Sequence, residues 1–410
     1  MKSLSLILAA LTLFLLSGAE TSAAAPAREY LVGFHDAGLA AEKAASLEQK
    51  RKLKKSMRRL PVISVVLDEA EANALREDPG VAYVQENVRF QAIAPMFGAE
   101  YDTSWGVTKI GGRIAHEAGK FGQEVRVAVL DTGIDYTHPD LMLRYAGGYD
   151  FVFDDADPMD DNTNSHGTHA AGIIAAELNG QGVVGVAPRA RIYGVKVLDG
   201  AGFGSLAWLL QGIDWAIANQ MHIINLSLAF DLDSPAIRDA CDRAYAAGIL
   251  LVAAAGNTGG GTVQFPAAYE SVIAVNATDA SDQFAAFSAI DGRVELAAPG
   301  RSIVSAARGN QYRSLDGTSQ AAPHVAGVAA LLMAAGIQDA NGNGRINDEV
   351  RLRLRQSAVD LGSNGHDLYF GYGRVDAAAA LGLGGTAPGR DKKDKKDKKP
   401  TKAGLIKPGR

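Results

Sequence analysis

Four positions in this chain combine a reactive side chain with a neighbourhood that could put it to use. Asp131 follows the apolar run Val127-Ala128-Val129-Leu130, and Gly133 allows a tight turn just beyond it. A carboxylate at the carboxyl end of a strand is well placed to orient another side chain, although many α/β folds carry one there. His166 stands in Asn164-Ser165-His166-Gly167-Thr168-His169-Ala170-Ala171-Gly172, where small residues open a closely packed helix. His166 and His169 are spaced like a metal pair, but no third ligand follows at a usual spacing, so His169 reads as a packing residue with a satisfied hydrogen bond. Ser319, in Gly317-Thr318-Ser319-Gln320-Ala321-Ala322-Pro323-His324, precedes an Ala-rich run through Ala335 and so opens a helix. Backbone N–H groups and the positive dipole end favour a developing oxyanion there. Pro323 falls within the first turn or so, where a missing N–H is tolerated. Asn257 closes the strand-like Val252-Ala253-Ala254-Ala255-Gly256. Its amide can donate to the same oxyanion or serve only as a turn residue.

The elements that carry these residues alternate. Residues 125–130, 192–198, 223–228, 250–254 and 272–275 read as buried strands, and 205–219 and 235–247 as helices between them. Continuous apolar strands separated by helices indicate an α/β fold, a doubly wound and mostly parallel sheet covered on both faces. Such sheets hold their sites beyond the carboxyl ends of the strands.

A smaller unit precedes this one. Residues 30–34, 62–67 and 81–84 read as strands, with a Lys/Arg/Glu-rich helical stretch through Lys55 and a second helical run ending at Asp78-Pro79-Gly80. Strand–helix–strand–helix–strand suggests a small α+β module. The seven basic residues between Lys50 and Arg59 read as a solvated helix face and loop.

At the start, Lys2 precedes the apolar Leu4 to Leu16 run and then small residues, so residues 1–25 read as a cleaved signal peptide for export. The run is too short to span a bilayer comfortably, and no stable membrane insertion is expected. Cys241 is the single cysteine, so no intramolecular disulfide forms; it reads as a buried small apolar residue. The overall charge of −5 hides an acidic central segment and a basic tail, in which Asp-Lys-Lys occurs three times from Asp391. An acidic exported core argues against nucleic acid as a partner and suits calcium. The tail, residues 384–410, has almost nothing to bury and is expected to lack fixed structure.

The order Asp131, His166, Asn257, Ser319, each with its motif, resembles the subtilisin-like serine peptidases, which carry their triad in the order Asp, His, Ser. Tyr30-Leu31-Val32-Gly33-Phe34 and Val81-Ala82-Tyr83-Val84 resemble that family's propeptide. The resemblance implies a secreted serine endopeptidase made as a precursor, with a propeptide at 26–97 and a catalytic domain at 101–383. Ser319 is then the nucleophile, His166 its base, Asp131 the group that orients His166, and Asn257 an oxyanion donor. Protein or peptide substrates and its own propeptide are the implied partners, and a monomer the implied state. Self-cleavage is expected between residues 93 and 101.

The resemblance also implies substrate edges at Gly202, Phe203 and Gly204 and at Ser227, Leu228 and Ala229, which would pair with an extended chain. Gln264 would partly fill the pocket for the side chain before the cut bond. The family usually has Gly where Ala229 stands, a small residue where Phe230 stands, and Met where Gln320 stands. Hydrolysis is unaffected, but cleft width and preference are left open.

The resemblance further implies a structural calcium, held by Asp140 and Asn179 with loop oxygens from Glu177, Gln181 and Val183. The acidic cluster Asp154, Asp155, Asp157, Asp160 and Asp161 reads either as a second ion site or as a solvated loop. Asp339, Asn341 and Asn343, with Gly344, match the first half of an EF-hand-type loop, yet Val350 stands where its bidentate carboxylate belongs and Glu349 comes one residue early. The alternative is a polar loop ending in Asn347 as a helix N-cap.

Overall fold

The computed structural model describes residues 27–88 and 98–383, which fall into two compact units on either side of the gap. The expected leader, most of the expected processing window and the lysine-rich tail lie outside the described residues.

The N-terminal unit runs β1 (Arg28–Phe34), α1 (Ala37–Gln49), β2 (Leu53–Ser56), β3 (Val62–Leu67), α2 (Glu69–Arg76) and β4 (Val81–Glu86). Its antiparallel sheet has the order β2-β3-β1-β4. Alternation puts Tyr30, Val32 and Phe34 of β1 in one core with Ile63, Val65 and Leu67 of β3, alongside Ala40 and Ala44 of α1 and Ala72 of α2. Asp36 caps α1, and Asp68 with Glu71 forms a capping box on α2. One expectation fails here. The helix expected through Lys55 stops at Gln49, and Leu53–Ser56 is an edge strand. Its lysines face solvent, as charges on an edge strand usually do, and this disguised the strand as helix.

The second unit opens with three short helices, α3 (Ala99–Thr103), α4 (Trp105–Lys109) and α5 (Gly112–Glu117). There follow β5 (Arg126–Asp131), β6 (Tyr145–Asp150), α6 (His166–Ala175), β7 (Arg191–Lys196), α7 (Leu206–Ala218), β8 (Ile223–Leu226), α8 (Pro235–Ala246), β9 (Leu250–Ala254) and β10 (Val272–Thr278). The chain closes with β11 (Leu296–Pro299), a hairpin of β12 (Ile303–Ala307) and β13 (Gln311–Leu315), then α9 (Thr318–Ala334), α10 (Asn347–Ser357) and α11 (Ala377–Ala380). Seven strands make one parallel sheet in the order β11-β10-β9-β8-β5-β7-β6.

Both faces of that sheet are covered, as the apolar strands require. Along β5, Val127 and Val129 face a core shared with α6 and α9, while Ala128 and Leu130 face a core shared with α7 and α8. Cys241 is fully buried in the latter core, and burial pushes its thiol up to about 12, which makes it inert. The expected strands are present, but the second and third end at Lys196 and Leu226, where the chain leaves the sheet. The sequence reading had no counterpart for β6, β11 or the β12–β13 hairpin. In β6 the glycines mimic a turn. Gly148 is needed because a Cβ there would sit 1.8 Å from the carbonyl of Gly194 on β7.

Candidate active site

Strand order in the large sheet reverses at β5, which has β7 and β6 on one side and β8 on the other. Ligands of open α/β sheets bind beyond the carboxyl ends of strands at such a point. Asp131 is the last residue of β5, and Ser227 directly follows β8. The helices α6 and α9 begin in the same region, with His166 and Thr318 as their first residues.

Asp131 and His166 are joined by a 2.7 Å hydrogen bond from Nδ1 of the ring to Oδ1 of the carboxylate. Because the carboxylate can only accept, Nδ1 carries the proton and Nε2 is left with its lone pair. Asp131 is fully buried, whereas the His166 side chain is 25% exposed. Burial opposes a charged ring, but the Asp131 charge and hydrogen bond, helped by Asp160, outweigh it and raise the His166 pKa above its ordinary value. The two elements meet this closely because residue 167 is glycine. A Cβ there would lie 2.1 Å from the Gly133 carbonyl and 3.1 Å from Cβ of Asp131. His169 behaves as expected, fully buried with Nε2 near the carbonyls of Ile303 and Arg313, and burial lowers it to about 4.

Ser319 is the second residue of α9, where first-turn N–H groups have no intrahelical acceptor. Pro323 lies deeper in the helix than expected, four residues after Ser319, so the Ser319 carbonyl lacks its usual helical donor. Ser227 supplies one. Its hydroxyl donates to the Ser319 carbonyl at 2.8 Å, while Ser319 Oγ donates to the Ser227 carbonyl at 3.1 Å. Asn257 lies three residues past the end of β9, and its Oδ1 accepts both the N–H and the hydroxyl of Thr318, each at 3.0 Å. That leaves Nδ2 as a donor beside the start of α9, 3.3 Å from where a Cβ on Gly317 would stand.

A cleft of about 670 Å³ opens here. His166, Gly202, Phe203, Gly204, Ser227, Leu228 and Ala229 all line it, so both expected substrate edges border one groove. Gln264 is placed differently. It packs against Gly256, just before Asn257, and its amide donates to Asp231 at 2.5 Å on the cleft rim.

The expected calcium residues divide. Asp140 is buried, and its carboxylate takes Nδ2 of Asn179 at 2.9 Å, the Tyr312 hydroxyl at 2.9 Å and the Val183 N–H at 3.3 Å. Glu177 and Gln181 belong to the same loop, but the Glu177 carboxylate pairs with Arg144 at 2.6 Å and its carbonyl accepts the Asn179 N–H at 3.1 Å. One residue escaped the sequence reading. Buried Glu100 accepts the Gly180 N–H at 2.8 Å, and burial, despite loop N–H groups and with Asp140 nearby, raises its pKa. Among the described residues neither Glu100 nor Asp140 has a cationic side chain paired to it. Two buried carboxylates without a counter-charge, beside the side-chain amide of Asn179, are a set of hard oxygen donors that suits a divalent cation.

The acidic cluster does not act together, and among the described residues no group of three or more acidic, His or Cys side chains is arranged to hold a metal. Asp154 and Asp157 accept from Tyr149 and Tyr136, Asp155 accepts the Asp157 N–H, Asp160 is buried among hydrogen bonds, and Asp161 pairs with Lys196. Neither alternative offered for Asp160 holds, because local partners saturate it. In the 339–349 loop, Asp339 accepts the N–H groups of Gly342 and Gly344, Glu349 accepts those of Ala340 and Asn341, and the amides of Asn341 and Asn343 reach Asp348. Asn347 is not the N-cap that the alternative reading of this loop makes it. It is the first helical residue, its amide turned inward to the Tyr245 carbonyl.

Residues 122–373 match the model of the subtilase family. Across 392 residues the chain is 39% identical to subtilisin NAT of Bacillus subtilis subsp. natto, covering 92% of this chain and 98% of that protein. It is 45% identical over 321 residues to a thermostable alkaline protease of Halalkalibacterium halodurans, covering 78% of this chain and 83% of the other. The minor extracellular protease Epr of Bacillus subtilis is 42% identical over 349 residues, which is 83% of this chain but 52% of that longer protein. A histidine hydrogen-bonded to a buried aspartate and a serine at a helix N-terminus, gathered at the switch point of a parallel sheet, agree with that match, and the chain belongs to the subtilase family of serine endopeptidases.

Proposed function

We propose that this protein is exported as a precursor, removes its own N-terminal unit and then hydrolyses peptide bonds through an acyl-enzyme on Ser319. The observation that carries the reading is the 2.7 Å Asp131–His166 hydrogen bond, which leaves Nε2 of His166 as a base facing the cleft. An extended substrate pairs with the edges at 202–204 and 227–229. Ser319 Oγ turns from the Ser227 carbonyl to Nε2 of His166, gives up its proton and attacks the peptide carbonyl. Asp131 stabilises the imidazolium, while the Ser319 N–H and Nδ2 of Asn257 donate to the oxyanion. His166 then returns the proton to the leaving amine, and water repeats the sequence on the ester. Gln264, tied to Asp231, narrows the pocket beside Asn257.

Asp140, Glu100, Asn179 and carbonyls of the 177–183 loop are the residues that would hold calcium. Calcium there supplies the positive charge that the two buried carboxylates lack. The 339–349 loop is a weaker second candidate, with Asp339, Asn341, Asn343 and Glu349 as its oxygen donors. No described helix is long and apolar enough to cross a membrane. Export is supported by the Lys2 and apolar leader and by the relative named as an extracellular protease.

N-terminal sequencing of the processed enzyme tests the precursor reading. The start is expected between residues 94 and 101. A start outside that range contradicts it.

A further inference from the structure

Thr132, the residue after Asp131, is engaged at every polar atom. Its N–H donates to Oδ1 of Asp131 at 2.8 Å, and its carbonyl accepts from Nζ of Lys196 at 2.8 Å. Its hydroxyl donates to Oδ1 of Asp160 at 2.9 Å and accepts the Gly167 N–H at 3.0 Å. Asp160 is fully buried, and its other oxygen takes the hydroxyl and N–H of Thr168 at 2.5 and 3.1 Å.

Gly167 and Thr168 follow His166 in the first turn of α6, where N–H groups lack intrahelical acceptors. Ser165, which precedes the helix, does not cap it. Its φ is 56°, and its hydroxyl accepts the Arg308 N–H instead. The helix that begins with His166 is therefore capped from across the site, by Thr132 and by a carboxylate at the positive end of the dipole. Lys196, also fully buried, reaches Asp161 at 2.7 Å and the Leu198 carbonyl on the cleft edge at 2.9 Å. Buried charges of this kind add little net stability over apolar packing, so their value lies in the geometry they impose.

We propose that Asp160 and Lys196 are positioning residues which, through Thr132, fix the Asp131–His166 hydrogen bond and hence the aim of Nε2. The proposal rests on the reading of Asp131 and His166 as members of the triad. Asp160 sets the strand exit against the helix entrance. Lys196 ties that exit to the substrate edge, so its loss disturbs binding as well as turnover.

The test compares Thr132→Val, which removes the hydroxyl at nearly constant shape, with Thr132→Ser, which keeps it, and adds Asp160→Asn in case the valine variant does not fold. Kinetics on a peptide substrate are read together with the low-field proton resonance of His166 Nδ1–H. Thr132→Val and Asp160→Asn are expected to lose kcat on the order of 10²-fold, the scale of a misaimed catalytic group, with KM nearly unchanged and the resonance shifted or lost. Thr132→Ser restores both. Wild-type kcat in the folded variants overturns the proposal, as does reduced kcat with an unmoved resonance, since that is a structural defect alone. Asp131→Asn serves as the control. If it keeps wild-type kcat, the triad reading itself has failed.

Discussion

Ser227 and Ser319 hold each other by two hydrogen bonds, hydroxyl to carbonyl in each direction, at 2.8 and 3.1 Å. The first repairs the gap left by Pro323 in α9, and the second holds the Ser319 hydroxyl beside the cleft edge. Asn225, fully buried on β8, donates to the Ser227 hydroxyl at 3.0 Å and completes the chain. Ser227→Ala leaves the Ser319 carbonyl and the Asn225 amide without partners, and is expected to destabilise the enzyme by about 1–3 kcal/mol. Pro323→Ala in that background returns an N–H to the helix and recovers part of the loss. Denaturant melts of the single and double variants measure this coupling, and strict additivity contradicts it.

On the proposed mechanism, Asn257→Ala removes one oxyanion donor while leaving the Asp131–His166 pair in place. Turnover is expected to fall by about 10²–10³-fold with little change in KM, the magnitude seen when the corresponding donor is lost from subtilisin. Steady-state kinetics decide. A fall confined to KM makes Asn257 a binding residue instead.

The pH dependence of kcat/KM follows from the His166 environment. Hydrolysis needs a neutral ring, so activity is lost as pH falls through the His166 pKa. Against the opposing effect of burial, Asp131 raises that pKa above the ordinary 6.5, and the acid limb is expected above 6.5. Asp131→Asn removes the charge and leaves the burial, so its residual activity should show a limb at lower pH. An acid limb below 6.5 in the wild type, or one that rises in Asp131→Asn, contradicts the account.

The placement of Asp131, His166 and Ser319 was legible because each sits at an element's end, where strand, turn and helix signals coincide. The central strands were legible because burial on both faces makes them continuously apolar. Legibility failed where tertiary contact replaces a local signal. Gly148 looks like a turn but is a close approach between strands, and the lysines of β2 look like a helix face but line an edge. Asp160 looked like one acid among five, because nothing in its neighbours announces Thr132 and Thr168 as partners. Glu100 was invisible for the same reason, as its loop lies 80 residues further along the chain.

Calcium removal is expected to lower thermal stability. A ligand bound only by the native state at 100- to 1,000-fold above its dissociation constant adds roughly 3–4 kcal/mol. Asp140→Ala should reproduce most of that loss and no longer respond to added calcium, and Glu100→Gln should weaken the response. Melting curves with chelator and with calcium test this, and coincident curves for the wild type contradict it. Calcium titration of Asp339→Ala/Asn343→Ala reports on the second candidate, where a stoichiometry equal to wild type makes that loop a turn only.

The central claim is that Ser319 is the nucleophile that His166 activates. The most direct measurement is peptidase activity of purified Ser319→Ala beside the wild type, both checked for native melting behaviour. A folded variant that stays uncleaved as precursor and has lost on the order of 10⁴-fold or more in kcat is the expected result. Folded Ser319→Ala that processes itself and hydrolyses peptides at the wild-type rate would contradict the account.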